Sequence, residues 1–375
     1  MDSKIVLLIA VLAILGLCVY KMRKRKGWAN LFLFLFMTLL TLLISEFVYR
    51  KFFRDKTIIS TVNNYYRGDP YIGYRFDPGT IKAIEYFENG DTIYNTSYTI
   101  LPDTNGFGIN YPMRKAYRSD TPGKETVFLG CSYTLGEGLA DEETLPYLYG
   151  KLSGISAVNR GCNGMGVHQV YELFKNEYAS QDNHNRLFVY SYFFEHFFRA
   201  KGLYKWNVAG PYYVIAGDTL FNKGPFYKVK TLYWQKIAQA ASFLGTFTFI
   251  SDNIERIAVN RAKKNITEED LKPIYLMLRQ MAEIIERSGG RLILLSWDDS
   301  PPKTGSDILD RDIITEKIVT EIGHTSAKVL PVRQVINFSQ KEYSIPHDGH
   351  PSALANKVLA EYLLKNAGPP DRDGN

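Results

Sequence analysis

The sequence is short of several things, and each shortage removes a class of function. Of its 375 residues only three are cysteine (Cys18, Cys131 and Cys162) and six are histidine. No set of His, Cys, Asp and Glu recurs at metal-ligand spacing, and no glycine-rich loop is followed by Lys-Ser or Lys-Thr. A structural zinc module and a P-loop nucleotide site are therefore excluded, and neither metal nor cofactor is expected. Cys18 lies in an apolar run, whereas Cys131 and Cys162 fit either one disulfide or two buried thiols. Low-complexity sequence is also missing, apart from a tail over 368–375 that reads as disordered.

Excess charge is missing from most of the chain as well. The net charge of +6 comes entirely from residues 1–56, where ten Lys/Arg face only Asp2, Glu46 and Asp55, since 35 of the 45 basic and 36 of the 39 acidic residues remain for the rest. With no helix-turn-helix, finger or RNA-stacking signature, no nucleic-acid partner is expected.

What is present begins with two nearly uncharged runs, Ile5–Tyr20 and Trp28–Tyr49, separated by the basic "KMRKRK". The second is long enough for a hydrocarbon core of about 30 Å at about 1.5 Å per residue, and the first reaches with its flanks. A signal peptide would carry its charge before the apolar stretch and a small-residue cleavage site after it. Residues 1–56 therefore read as an uncleaved two-helix transmembrane hairpin in contact with membrane lipids. The clustered charges of Lys21–Lys26 favour a cytoplasmic loop, with both termini and the soluble part on the extracytoplasmic side of the cell membrane.

Residues 57–124 read as a β-rich lead-in packed on the core. The run "IEYFENGDTIYNTSYTI" predicts a hairpin at Asn89-Gly90, and "LPDTNGFGINYP" is all turn chemistry. From 125 to 367 the pattern alternates. Short apolar runs at 125–131, 155–161, 186–193 and 291–297, with a weaker one at 327–332, predict strands buried on both faces. Helical patterns fall at 142–152, 166–178, 267–288, 310–322 and 352–366. The fold class is α/β, a three-layer parallel sheet with helices on both faces, preceded by the hairpin and the lead-in. An aromatic-rich insertion around 200–265 shows no clear strand and is a candidate to contact substrate, although packing alone would account for its rings.

In such a sheet a site forms at the carboxyl ends of the strands. Four loops lie there: "GCSYTLGEG", "RGCNGMG", "FFEHFFR" and "PHDGHPS". Ser132 begins the turn after the first strand, and Gly161, Gly164 and Gly166 let backbone N–H groups approach an anion closely. His350, two residues after Asp348, suits a general base for a serine hydroxyl. Asn163 and Gln169 suit loop-pinning groups, with Asn163 and Glu195 also candidates for a substrate loop. Glu195 and His196 fit either a site role or an ion pair with Arg199.

The stretches "FLGCSYTLGEG", "VNRGCNGMGVHQ" and "DGHPSALANKVLAEYL" resemble the first, second and last blocks of the SGNH, or GDSL-type, hydrolase and acyltransferase superfamily, over residues 125–366. The resemblance implies a serine esterase or O-acyltransferase with Ser132 as nucleophile, His350 as base and Asp348 as its partner. It places the amides of Ser132 and Gly164 in the oxyanion hole. Three departures stand out: Cys131 replaces the usual aspartate, the third block offers Glu195 or His196 where an asparagine is usual, and one residue rather than two separates Asp348 from His350. His196 is accordingly a candidate oxyanion donor. The implied substrate is an acyl, foremost acetyl, ester of a carbohydrate polymer or a lipid-linked glycan, with polysaccharide-biosynthesis proteins as partners. The alternative is an inactive binding or scaffold protein on the same fold.

Overall fold

The computed structural model describes residues 3–53, 59–62, 65–87, 90–102, 111–120, 123–226, 245–297 and 311–367. The chain divides into two compact units, residues 1–56 with 232–258, and residues 57–231 with 259–375.

In the first unit α1 (Ser3–Met22) and α2 (Lys26–Val48) pack against each other as a hairpin. The basic stretch makes the reversal, with the Arg25 N–H bonded to the Met22 carbonyl at 2.7 Å. Gly16 leaves room for the Phe36 ring of the facing helix. Leu7, Phe34 and Phe47 point outward at 64, 67 and 65% exposure. Among the described residues only Lys26–Val48 is long and apolar enough to cross a membrane, and the apolar part of α1, Val6–Met22, is shorter. After α2 the chain takes a π-helical turn, Tyr49–Phe53.

The second unit is built on a nine-stranded sheet. Its strands are β1 (Ile59–Val62), β4 (Gly79–Tyr86), β5 (Thr92–Leu101), β6 (Met113–Arg114), β7 (Glu125–Gly130), β8 (Ser156–Gly161), β9 (Arg186–Tyr192), β12 (Arg291–Ser296) and β13 (Lys328–Pro331), in the order β1-β4-β5-β6-β8-β7-β9-β12-β13. The five predicted strands, β7, β8, β9, β12 and β13, pair in parallel. The sheet as a whole is mixed, because β6 pairs antiparallel to β8 through Arg114 and Asn159 and carries β5, β4 and β1 with it. The lead-in therefore continues the sheet instead of packing on it as a separate layer. The β4–β5 hairpin forms as expected, while Asn89 of its turn, the turn-rich residues 103–110 and the tail 368–375 lie outside the described residues.

Helices cover both faces. The helices of this unit are α3 (Ser132–Leu135), α4 (Leu145–Ser153), α5 (Val167–Glu177), α6 (Glu195–Ala200), α8 (Glu268–Arg287), α9 (Arg311–Ile322) and α10 (Ala353–Ala367), and α7 (Gly245–Lys264) precedes α8. Successive strand residues divide between two cores, as a period of two requires. Phe128, Val189, Ile293 and Leu295 meet Leu145, Tyr149, Leu359 and Leu363 of α4 and α10. Val127, Leu129, Phe188, Tyr190, Leu292 and Leu294 meet Phe174, Leu278, Ile285 and Ile318 of α5, α8 and α9. Burying apolar side chains of this size stabilises by roughly 1.5–3 kcal/mol each. α8 starts where the sequence announces it, with the Thr267 hydroxyl accepting from the Asp270 N–H and the Asp270 carboxylate accepting from the Thr267 N–H.

The described part of the insertion has strands that were not expected from its sequence. It holds the hairpin of β10 (Pro211–Ala216) and β11 (Thr219–Pro225). The signal was present in Tyr212–Ile215 followed by Gly217-Asp218, a two-residue turn with Gly217 at φ 60°. A second unforeseen hairpin joins β2 (Tyr66–Asp69) to β3 (Gly73–Phe76).

Candidate active site

Numbered among themselves, the parallel strands run in the order 2-1-3-4-5, so the chain's direction of winding reverses between β7 and β9. That crevice, outside the carboxyl ends of the strands, is where open α/β sheets bind ligands. Ser132 lies at its edge, two residues beyond the end of β7.

The turn around Ser132 is tightly built. Gly130 and Gly161 are paired across β7 and β8, so the two loops leave the sheet at the same height. A Cβ on Gly161 would lie 2.3 Å from the Leu135 nitrogen, which makes glycine necessary for α3 to sit against β8. Asn159, fully buried, donates to the Leu135 carbonyl and accepts from the Gly161 N–H. Arg114, 1% exposed, gathers the following carbonyls: its guanidinium bonds Leu135, Gly136 and Leu139 at 2.6–2.8 Å and the Asp141 carboxylate at 3.0 Å. As the first residue of α3, Ser132 has no intrahelical acceptor for its N–H.

The second loop lies beside the first. Tyr74 donates to the Asn163 carbonyl at 2.7 Å and Asn207 to the Gly164 carbonyl at 2.9 Å. The Gly164 N–H, at φ 73°, has no hydrogen-bonded partner among the described residues. Gln169 pins the same region, donating to the Ile72 carbonyl and accepting from the Gly166 N–H and the Asn207 amide.

His350 and Asp348 form a pair despite the single residue between them. Gly349, at φ 85°, turns the backbone so that Asp348 Oδ2 lies 2.6 Å from His350 Nδ1. The loop is fixed by the Ile345 N–H on the His350 carbonyl and by the bridge between Ser344 and Pro351. His347 stands apart and exposed, its ring against Phe87. On its other side the imidazole meets a residue the sequence reading passed over: Glu137 Oε2 lies 3.3 Å from His350 Nε2 and accepts from Asn163 Nδ2 at 2.7 Å. The Glu137 N–H in turn bonds the Ser132 carbonyl at 3.1 Å. Glu137 thus ties the Ser132, Asn163 and His350 loops together. Its place in "SYTLGEG", five residues after the serine and between two glycines, was the available clue.

Burial by itself would lower the pKa of His350, but the Asp348 hydrogen bond and the charges of Glu137, Asp348 and Glu85 outweigh it and raise the pKa above the ordinary 6.5. Burial likewise raises Glu137, opposed by the charge of His350 and reinforced by Asp348 and Glu85. Ser132, 7% exposed, has its Oγ 3.9 Å from Cys131 Sγ, and among the described residues no hydrogen bond joins it to His350. The Tyr133 ring closes one side, 5.4 Å from the imidazole, 5.0 Å from Phe193 and 5.1 Å from Trp297. None of these three aromatics stood out in the sequence.

The third loop differs from its expectation. His196 is completely buried, with Nδ1 2.9 Å from the Tyr190 hydroxyl and Nε2 without a partner among the described residues. Burial and the Arg199 charge hold its pKa well below the usual value. Glu195 pairs with Lys263 and accepts from the Tyr204 hydroxyl, whereas Arg199 donates to the Met165 carbonyl, so the Glu195–Arg199 pair does not form. Cys131 and Cys162 are free, buried thiols, and burial pushes Cys162 up. Among the described residues no group of three or more His, Cys, Asp or Glu could hold a metal ion.

No protein-family model and no curated protein matches the chain. Among solved structures it is similar to a G-D-S-L family protein from Desulfitobacterium hafniense, at 15% identity over 65% of this chain and 99% of that one, with a TM-score of 0.36. An acetyl xylan esterase from the rumen bacterium Butyrivibrio proteoclasticus is 9% identical over 83% of this chain and 88% of its own, with a TM-score of 0.36. A mutant acetyl-xylooligosaccharide esterase from Geobacillus is 15% identical over 67% and 97%, with a TM-score of 0.37. These likenesses are distant.

Proposed function

We propose that the chain is a membrane-anchored serine esterase or O-acyltransferase of the SGNH type. The observation that carries the reading is the His350–Asp348 pair at 2.6 Å, whose loop Glu137 ties to the Ser132 and Asn163 loops. Ser132 Oγ attacks an acyl carbonyl carbon while its proton passes to His350 Nε2. The carbonyl oxygen becomes an oxyanion facing the amides of Ser132 and Gly164. Collapse breaks the ester bond, and His350 returns the proton to the departing alcohol. A water molecule or a second hydroxyl then attacks the acyl-enzyme with the same histidine as base. Asp348 holds the imidazole in the tautomer this requires. His196 has no part in this scheme, since a fully buried ring has no surface to offer a substrate.

The substrate class follows from location and from the aromatic wall. Residues 1–56 anchor the enzyme as a two-span hairpin with the sheet domain outside the cytoplasm, beside surface polymers and lipid-linked glycans. Tyr133 and Phe193, both partly exposed, offer rings on which a sugar can stack next to His350, with the buried Trp297 packed behind Tyr133. Acetyl is the simplest acyl group for such a polymer.

A binding or scaffold role is the second reading, favoured by the engagement of His350 Nε2 with Glu137 instead of Ser132. Turnover of p-nitrophenyl acetate by the full chain in detergent separates the two. Hydrolysis that disappears in Ser132→Ala supports the enzyme, and a rate equal to that of Ser132→Ala supports the scaffold.

A further inference from the structure

Helix α7 carries an apolar stripe that no part of the described chain covers. Ile250, Ile254 and Ile257 recur at i, i+4 and i+7, which puts them in one row along the helix, and they are 50, 62 and 65% exposed. The positions between are polar, with Arg256 donating to Asn253, and the last turn is basic through Arg261, Lys263 and Lys264. Burial of an isoleucine side chain is worth roughly 1.5–3 kcal/mol, so three in a row facing water is an arrangement that a soluble helix avoids.

The neighbourhood of the stripe indicates what covers it. Residues 245–258 belong to the same compact unit as α1 and α2. Phe249 packs on Tyr49, ring centroids 5.4 Å apart, and Tyr49 is the first residue after α2. An aromatic residue at the end of a spanning helix marks the level of the lipid headgroups. Ile44 and Phe47, in the last turns of α2 ahead of this ring pair, are likewise outward, at 55 and 65% exposure. The exposed Arg261 and Lys264 further along the same helix suit anionic headgroups above an acyl boundary, whereas Lys263 is engaged by Glu195.

We propose that residues 245–258 lie in the interface of the bilayer that α2 crosses, with Ile250, Ile254 and Ile257 inserted among the acyl chains of anionic phospholipid. The inference rests on the membrane anchoring under the proposed function and adds to it a second contact, made by a segment nearly 200 residues further along the chain.

The test uses the full chain carrying Cys18→Ser, in which Cys131 and Cys162 remain as buried thiols. Single environment-sensitive labels go onto Ile254→Cys, Ile257→Cys, Arg256→Cys and Leu35→Cys, all exposed positions, in vesicles of phosphatidylcholine and phosphatidylglycerol. Labels at 254, 257 and 35 should be quenched by nitroxides on the lipid chains, and the label at 256 by aqueous iodide. Iodide quenching at 254 and 257 with lipid quenching at 35 overturns the interfacial helix and leaves the anchor standing. Iodide quenching at 35 removes the anchor and the interfacial helix together. Shielding of 254 and 257 from both quenchers, with crosslinking between chains, would instead assign the stripe to a second copy of the protein.

Discussion

His350 Nε2 lies 3.3 Å from Glu137 Oε2 while its Nδ1 lies 2.6 Å from Asp348 Oδ2, so one imidazole is held between two carboxylates. A base must be unprotonated to act, and both carboxylates favour the charged ring. Activity should therefore rise with pH through a pKa above the ordinary 6.5. Removing one of the negative charges lowers that pKa, so Glu137→Gln should move the acid limb of the kcat/KM profile to lower pH. The substitution also frees Nε2 for Ser132, and the rate at pH values below neutrality should increase. A Glu137→Gln profile lying on the wild-type limb would show that Glu137 does not govern the histidine.

Arg114 is the other ionic group set deep beside the site, and its role is structural. Its guanidinium holds the turn after Ser132 by three carbonyls and is neutralised by Asp141, itself 6% exposed. Arg114→Met leaves a buried carboxylate without its cation, which costs about 3–5 kcal/mol in comparable cases. Urea unfolding of the full chain in detergent should show a loss of that size. Arg114→Lys keeps the charge but cannot bond all four groups, and should fall between. A loss below about 1 kcal/mol for Arg114→Met would mean the turn holds without it.

His168 makes stability depend on pH in the opposite sense to a salt-bridged histidine. It is fully buried, both ring nitrogens lack partners among the described residues, and burial together with the Arg199 charge lowers its pKa to about 3. The native ring stays neutral while the unfolded chain takes up a proton below about 6.5. Stability should thus be complete above that value and decline as pH falls toward 3, by up to about 1.4 kcal/mol per pH unit from this residue. His168→Leu should flatten the decline measured by urea unfolding between pH 7 and pH 5. An unchanged slope would assign the acid sensitivity elsewhere, His196 being the next candidate.

The parallel core was legible because its strands are continuously apolar and its helices are capped by local chemistry, as at Thr267 and Asp270. β6 was not, since two residues, Met113 and Arg114, carry no period, and the pairing that makes the sheet mixed depends on where β8 lies. In the proposed site, Ser132, Asp348 and His350 are candidates from motif order, and the structure adds the Asp348–His350 pair and Glu137, which motif order leaves without a role. Its position is set by a turn of glycines and by Asn163, 26 residues away. The burial of His196 was not legible for the reverse reason: a polar residue after a strand end reads as exposed, whereas Tyr190 and Phe193 lie against it.

Cys131 and Ser132 sit side by side, and the proposed chemistry requires that only the serine react. A fluorophosphonate should form a covalent adduct at Ser132, because its tetrahedral phosphorus presents negative oxygen to the same two amides that would hold an acyl oxyanion. Cys131 is completely buried, which keeps its sulfur out of reach of the probe. Labelling should vanish in Ser132→Ala and survive in Cys131→Ala if that variant folds. Ester turnover should drop by on the order of 10⁶-fold for Ser132→Ala or His350→Ala, since the pair acts as a unit. Asp348→Asn should cost less than His350→Ala, on the order of 10⁴-fold, because Gly349 still presents the imidazole but its tautomer is no longer fixed. Peptide mapping that put the adduct on Cys131, or undiminished labelling in Ser132→Ala, would remove Ser132 as the nucleophile.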